Sequence, residues 1–263
     1  MRILITNDDG VDAPGIAIMR EIAADLSDDV WVVAPDGNMS GAGHRFTFGR
    51  ELRIDDRGAN VFSIVGGTPA DCVVAGCTHI LGELPDVVLS GVNNGQNLGD
   101  IIHCSGTAAG AREGSLQGAI GIGLSQGVDY EKRLEIDWTN ARRFGADVVK
   151  QIIAGHEGRD TYYNVNFPHC RPEQVEGVRV VSAQRFSRSP MRYYPSDNAG
   201  FFFVAIPETP LPLDPAHDFA TLHHDRAITV TPLSLRQTDE AAATRLRESL
   251  SGSASAPHLV RNR

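Results

Sequence analysis

The sequence predicts a doubly wound α/β fold with a largely parallel sheet. Strand-length apolar segments alternate with helix-like segments for about the first 180 residues, the order that builds βαβ units. Val87-Val88-Leu89 is continuous rather than alternating, which is typical of a strand buried on both faces. A chain of 263 residues can hold one large domain with an additional C-terminal segment.

The first part of the chain carries clear start signals for its elements. Strands are predicted at 3–6, 30–34 and 86–90, and a hairpin at 46–54 and 60–65 with 55–58 as its connecting loop. Helices are predicted from Pro14 to Leu26 and from Thr68 to Ile80, because each has a proline suited to a first helical turn. The polar, glycine-rich segment 91–104 is predicted to be a loop.

Helix and strand continue to alternate after this loop. Ser105-Gly106-Thr107 begins a helix of small residues, and strands are predicted at 120–125, 162–166 and 178–182. A further helix has its core face at helical spacing on Trp138, Ala141, Phe144, Val148 and Ile152. These elements complete a Rossmann-like core that we predict to span residues 1–184.

Residues 185–263 depart from this rhythm and are predicted to extend the core rather than form an independent domain. The aromatic segment 192–206 is predicted to be a β-hairpin around 195–200, 209–215 a connector, 238–250 a final helix and 251–263 a fraying tail. A two-stranded ribbon is marginal in water, so we expect the hairpin and terminal helix to serve oligomerisation. Packing of the hairpin onto its own domain is the alternative.

Composition excludes several classes of partner. The formal net charge of −9 offers no basic excess for nucleic acid or an anionic membrane surface. The sequence contains no run of about 20 apolar residues, so no membrane span is predicted. The apolar stretch at the N-terminus is too short for a signal peptide. The four cysteines lack a CxxC pair, so reduced thiols in the cytoplasm are expected.

Two neighbouring carboxylates, Asp8 and Asp9, directly follow the first predicted strand. In open parallel sheets, ligands bind beyond the carboxyl ends of the strands. Two such charges about 4 Å apart repel by roughly 4 kcal/mol at an effective dielectric of about 20, and a divalent cation removes this cost. The pair therefore predicts a metal site. The alternative is a simple turn, because Asn-Asp-Asp-Gly is also good β-turn chemistry.

Oxygen-bearing side chains also follow the second and third predicted strands, at Ser40 and Asn93. Carboxylate, hydroxyl and amide oxygens favour magnesium, manganese or calcium over zinc. Taken alone, Ser40 fits ordinary turn chemistry and Asn93 fits a left-handed backbone position. Their placement at the same edge as the two carboxylates makes them candidate ligands.

Ser105, Gly106 and Thr107 stand at a predicted helix start, where free N–H groups and the helix dipole suit a phosphate. Simple capping by Ser105 is the alternative. His44 and His103 lie in the same loops and are candidates for acid–base chemistry, for ligation of a softer metal or for ordinary loop hydrogen bonds.

Five ordered motifs closely resemble the SurE (stationary-phase survival protein) family. They are Ile5-Thr6-Asn7-Asp8-Asp9-Gly10-Val11-Asp12-Ala13-Pro14-Gly15, Val33-Ala34-Pro35-Asp36 with Ser40-Gly41, Gly67-Thr68-Pro69-Ala70-Asp71-Cys72-Val73, Ser90-Gly91-Val92-Asn93 and Ser105-Gly106-Thr107. The resemblance implies a metal-dependent phosphatase that acts on nucleoside 5′- and 3′-monophosphates, with short polyphosphate as a further substrate. It also implies subunits that exchange C-terminal segments, as a homodimer or homotetramer.

The resemblance implies that Asp8, Asp9, Ser40 and Asn93 bind one divalent cation per subunit, magnesium or manganese. Asp8 or Asp9 is then expected to act as general base or nucleophile. The substrate-binding residues are expected to be Ser105, Gly106, Thr107 and Asn97, together with Asn7, whose expected part is to orient the loop. Two alternatives are a metal-dependent glycosyltransferase acting on nucleotide sugars and a non-catalytic nucleotide sensor.

Two departures from the family pattern border the expected substrate pocket. Cys104 precedes Ser105 where the family commonly has tyrosine or histidine, and His44-Arg45-Phe46-Thr47 replaces a more serine-rich stretch. The preferred base and ester position therefore stay open.

Overall fold

The computed structural model describes residues 1–129, 135–189, 191–205 and 212–252. A nine-stranded sheet has the order β3-β4-β2-β1-β5-β6-β7-β11-β8, and β9 and β10 form a separate hairpin. The strands are β1 Arg2–Thr6, β2 Asp29–Pro35, β3 Arg53–Asp56, β4 Val61–Val65, β5 Val87–Asn94, β6 Ile120–Gln126, β7 Thr161–Phe167, β8 Val178–Val180, β9 Arg192–Pro195, β10 Phe202–Ala205 and β11 Ile228–Ser234. The α-helices are α1 Pro14–Ala24, α2 Pro69–Ala75, α3 Gly106–Leu116, α4 Thr139–Gly155, α5 Asp218–His223 and α6 Glu240–Gly252.

The centre of the sheet is parallel and is covered on both faces, as the continuous apolar strands predict. Strand β1 pairs in parallel with β2 and β5, and β5 with β6. Ile3 and Ile5 of β1 pack into one apolar cluster with α1 and α4, whereas Leu4 packs into the other with α2. On this second face Gly114 of α3 lies against Val88. The predicted doubly wound α/β class is confirmed.

Three of the predicted boundaries differ markedly from the structure. The first hairpin arm begins at Arg53, not at residue 46, and pairs antiparallel with β4. Helix α2 ends at Ala75 and continues as a π-helical turn over Gly76–Ile80. Strand β5 runs on to Asn94, because Asn93 and Asn94 pair with β6 after a register shift. The predicted loop 91–104 therefore begins as strand and ends in a 3-10 helix, Gly99–Cys104.

One α-helix and one strand lie where no element was predicted. Helix α5 is short, and β11 enters the core sheet between β7, to which it is antiparallel, and β8. Strand β11 buries Thr229 and Thr231 as well as Ile228 and Val230, and its apolar–polar alternation ends after these four residues, at Pro232. Its Pro232 also argues against a strand in a sequence-based prediction. The C-terminal part of the chain thus contributes a strand to the main sheet.

The aromatic hairpin is present as β9 and β10, which pair antiparallel. Its aromatic side chains are mostly exposed: Tyr193 at 78%, Phe201 at 67%, Phe202 at 64% and Phe203 at 57%. Residues 206–211 and 253–263, which include Ile206 of the predicted hairpin, part of the predicted connector and most of the predicted tail, lie outside the described residues. Among the described helices, none combines the length and apolar character that a membrane span requires.

Candidate active site

The turn after β1 is held by Asn7. Its buried side chain donates from Nδ2 to the Gly10 carbonyl at 2.8 Å and accepts from the Gly10 N–H at 3.1 Å. Gly10 has φ 109°, and an added Cβ there would lie 3.2 Å from the backbone of Gly37. This closed turn presents Asp8 and Asp9 at the carboxyl end of β1. Orientation of the loop is the role that these contacts give Asn7.

Asp8 is buried against the start of α3. Only 4% of the residue is exposed, and its Oδ1 accepts a 2.7 Å hydrogen bond from the Thr107 hydroxyl. Gly106 lies so close that an added Cβ would stand 2.6 Å from Cβ and 2.7 Å from Oδ2 of Asp8. Burial raises the pKa of Asp8 to about 6, against the lowering effect of the Thr107 hydrogen bond. The neighbouring charge of Asp9 raises this pKa further.

Asp9 is half-buried and points to the end of β5. Its Oδ2 accepts a hydrogen bond from the backbone N–H of Asn94 at 3.2 Å, and burial raises its pKa. Among the described residues, no cationic side chain forms an ion pair with Asp8 or Asp9. The two adjacent carboxylates therefore form an electronegative site that favours a bound cation.

The loop that carries Ser40 and the end of β5 that carries Asn93 are both fixed to this acidic pair. The N–H of Met39 donates to the Asp8 carbonyl at 2.7 Å, which places the exposed Ser40 one residue away. Asn93 directly precedes Asn94, whose backbone N–H donates to Asp9. The Nδ2 of Asn93 donates to the Gly95 carbonyl at 2.7 Å. No group of three or more His, Cys, Asp or Glu side chains in the described part of the chain could hold a metal. The candidate ligand set is therefore a mixed one of carboxylates, a hydroxyl and an amide.

The hydroxyls at the start of α3 are already engaged. Ser105 caps the helix, with its Oγ accepting from the N–H of Ala108 at 3.0 Å, and the Thr107 hydroxyl is bonded to Asp8. The first N–H groups of α3 nevertheless lie beside the acidic pair, where the helix contributes about half a positive charge.

Asn97 is held on the neighbouring strands by hydrogen bonds of both its side chain and its backbone. Its Nδ2 donates to Ser125 of β6 at 2.9 Å, and its N–H donates to Asn166 of β7 at 2.8 Å. The Asn97 carbonyl accepts from the side chains of Asn164 and Asn166. These contacts fix the segment after β5 on the sheet, and they do not reach Asp8.

His44 forms a row of hydrogen-bonded side chains with Arg112 and Glu113, two residues that the sequence motifs did not single out. Arg112 Nε donates to His44 Nδ1 at 2.7 Å, and His44 Nε2 lies 2.9 Å from Glu113 Oε2. Because a guanidinium can only donate, Nδ1 is the acceptor and the proton is on Nε2. The sequence did carry a signal for Arg112 and Glu113, because these two charged residues interrupt a helix of small residues. In the structure Glu113 is almost completely buried. The row joins the loop after β2 to α3. By contrast, His103 is exposed.

The fold and this edge define the protein as a Rossmann-like α/β protein with a pair of adjacent carboxylates at the carboxyl ends of its strands. The profile of the family described as survival protein SurE matches residues 3–189. Two proteins named 5′-nucleotidase SurE are each 42% identical: one from Bradyrhizobium diazoefficiens (95% of this chain, 100% of the relative) and one from Nitrobacter hamburgensis (92% and 96%). The chain belongs to the SurE family. The crystal structure of the Sure protein from Aquifex aeolicus superposes with a TM-score of 0.82 at 33% identity, covering 95% of this chain and 99% of that one.

Proposed function

We propose that this protein is a phosphatase that releases orthophosphate from nucleoside 5′-monophosphates and 3′-monophosphates. The observation that carries the proposal is the buried Asp8 carboxylate against the start of α3, with Asp9 beside it. Acidic oxygens and free N–H groups at one point suit a cation and a phosphoryl group together. The relatives that match more than nine-tenths of the chain carry the name 5′-nucleotidase, which supports the same activity.

We propose one divalent cation per subunit, magnesium or manganese, held by Asp8, Asp9, Ser40 and Asn93. The donor set fits such an ion, because all four side chains offer hard oxygens and no described cationic side chain pairs with the carboxylates. When bound, the cation supplies Lewis-acid polarisation of a phosphoryl oxygen and neutralises the acidic pair.

The protein's own groups bind and orient the phosphoryl group. The Thr107 N–H, with the dipole of α3, attracts its oxygens, Gly106 lets the anion approach, and Ser105 fixes the helix start that aims the N–H group. Asn97 acts by holding the segment after β5 in place. The attacking oxygen bonds to phosphorus as the ester oxygen leaves with a proton. Asp8 or Asp9 is the carboxylate that accepts the proton of an attacking water or itself attacks.

Phosphate release from adenosine monophosphates tests the proposal. We expect Asp8→Asn to abolish release while the circular-dichroism spectrum stays unchanged, and Asp28→Asn, an exposed aspartate beside the start of β2, to behave as wild type. EDTA should abolish activity, and magnesium or manganese should restore it. Full activity in Asp8→Asn would remove this carboxylate from the mechanism. Liberation of a nucleoside diphosphate from nucleotide sugars would instead indicate a glycosyltransferase, and binding without turnover a sensor.

We further propose a homodimer or homotetramer in the cytoplasm, in which residues 185–263 extend the core rather than fold independently. Strand β11 is part of the core sheet, which supports the description as an extension. The exposed aromatic hairpin supports exchange of C-terminal segments between subunits. The four cysteines are free, as a reducing compartment requires.

A further inference from the structure

A cleft of about 800 Å³ is lined in part by Cys104, the residue directly before Ser105 of the candidate active site. One wall is the 3-10 helix Gly99–Cys104, which leads into Ser105 at the start of α3. The other wall is the segment after β8, and the lining includes Asp100, His103, Arg185, Phe186, Arg188 and Met191. The Cys104 carbonyl also accepts from the N–H of Gly43, in the loop that carries Ser40. The cleft therefore opens next to the point where the phosphoryl group would bind.

The walls of this cleft are fixed to each other by two carboxylates. Asp218, fully buried in α5, accepts from the N–H of Gly99 in one wall at 2.7 Å and from the N–H of Gln184 in the other at 2.9 Å. Asp100 accepts from the N–H of Phe186 across the cleft at 2.9 Å. An added Cβ at Gly99 would stand 2.5 Å from the Gln184 carbonyl, so the walls touch at their base. The cleft is thus formed before any ligand binds.

The charges in the cleft favour an anion. Arg185 and Arg188 are both exposed, and neither forms an ion pair with a described residue, although the chain carries a net charge of −9. One oxygen of Asp100 is occupied by the Phe186 N–H. The Phe186 ring, packed edge-on against Phe219 at 5.5 Å, adds an apolar surface. Two unpaired guanidinium groups beside an apolar surface suit a ligand with a ring and a phosphate.

We propose that this cleft binds the leaving group of the phosphate ester, and that Arg185 and Arg188 bind a second phosphoryl group carried by that leaving group. The substrate class is then the nucleoside 3′,5′-bisphosphate, and the inference rests on the proposed phosphatase function. Water adds its oxygen to the phosphorus beside Asp8 and Asp9, and the ester bond breaks. The ester oxygen leaves with a proton, and the second phosphoryl group stays on the nucleoside product.

Steady-state kinetics on adenosine 3′,5′-bisphosphate and adenosine 5′-monophosphate test this subsite. For the double variant Arg185→Gln/Arg188→Gln, we expect kcat/KM for the bisphosphate to fall about tenfold relative to the monophosphate. The matched control Arg143→Gln/Lys150→Gln removes two positive charges from α4, where they pair with Glu173 and Asp147. Its substrate ratio should equal that of wild type. An unchanged ratio in the cleft variant would overturn the subsite and leave the phosphatase function intact.

Calorimetric binding of adenosine 3′,5′-bisphosphate in EDTA gives a readout that does not depend on turnover. We expect the dissociation constant to rise about tenfold in Arg185→Gln/Arg188→Gln and to stay at the wild-type value in the α4 control. If wild type released no phosphate from either substrate, the phosphatase proposal would fail and calorimetry would still test the cleft. Equal dissociation constants in wild type and the cleft variant would then overturn the subsite.

Discussion

At the scale of single residues, the site is built around a carboxylate that the fold itself destabilises. Asp8 is almost fully buried, has Asp9 beside it and has only neutral donors, Thr107 and the Gly106 N–H, to compensate its charge. A buried charge that lacks an ionic partner costs free energy of folding. The sequence predicted that the two adjacent aspartates lie at the edge of the sheet, because the carboxyl ends of parallel strands meet there, but it did not predict the burial of Asp8 against α3.

This cost should be measurable in the metal-free protein. The pKa of Asp8, about 6, lies above its ordinary value of 3.8, so the folded state binds the proton more tightly than the unfolded chain. The stability that protonated Asp8 provides is complete below pH 4 and is lost as the pH rises through 6, by about 3 kcal/mol. In EDTA, Asp8→Asn should therefore exceed wild type in free energy of unfolding at pH 8 but not at pH 4.

Urea denaturation at pH 4, 6 and 8 measures this difference. Asp28→Asn, whose side chain is exposed, serves as the control and should follow wild type at each pH. A gap between Asp8→Asn and wild type that stayed constant from pH 4 to 8 would contradict an elevated pKa for Asp8.

Gly106 should be intolerant of any side chain. A Cβ there would stand within 2.6–2.9 Å of three atoms of Asp8, so Gly106→Ala must displace the carboxylate. Because a misplacement of about 1 Å can cost about 100-fold in rate, we expect a loss of that size in kcat/KM. Gly155→Ala, at the end of α4 with open space around it, is the control and should retain wild-type activity. Near-normal kinetics in Gly106→Ala would show that Asp8 need not stay where it is.

At the scale of elements, the parallel strands were predictable because they are apolar on both faces. Strand β11 escaped prediction because it buries threonines and contains Pro232. The hydrogen-bond partners of Asn97 and Asp218 could not be predicted from the sequence either, because they are distant in the chain and only the folded sheet brings them together. Ser40 and Asn93 both lie at the carboxyl edge, because strand order alone puts them there, although Asn93 belongs to the end of β5 and not to the predicted loop.

Helix α5 gains its structural importance through one buried side chain. The Asp218 carboxylate accepts from three backbone N–H groups, those of Gly99, Gln184 and Phe219. In Asp218→Asn an NH₂ group replaces one accepting oxygen and leaves a buried N–H unpaired, so we expect the free energy of unfolding to fall by about 1–3 kcal/mol. The control Asp225→Asn breaks only an exposed ion pair with Arg179 and should cost less than about 1 kcal/mol. Equal losses in chemical denaturation would argue against the buried contacts as the cause.

At the scale of the whole molecule, the nine-stranded sheet buries its apolar faces, whereas the hairpin of β9 and β10 leaves large aromatic side chains in water. A contiguous apolar surface of this kind marks a site of protein association. The hairpin contributes no strand to the main sheet, so its burial has to come from packing. A second copy of the chain is the partner that the proposed exchange of C-terminal segments provides.

Loss of apolar side chains from the hairpin should therefore weaken the oligomer. Phe202 and Val204 are two residues apart on β10, which places them on the same face of the hairpin, and both are at least half exposed in the monomer. Phe202→Ser/Val204→Ser removes about 3 kcal/mol of burial or more, so the dimer dissociation constant should rise at least about 100-fold. Analytical ultracentrifugation across a concentration series measures it. Leu84→Ser, an exposed leucine in the turn before β5, is the control and should leave the association unchanged. If the double variant sedimented as the wild-type oligomer, or wild type sedimented as a monomer, the hairpin would not be the contact between subunits.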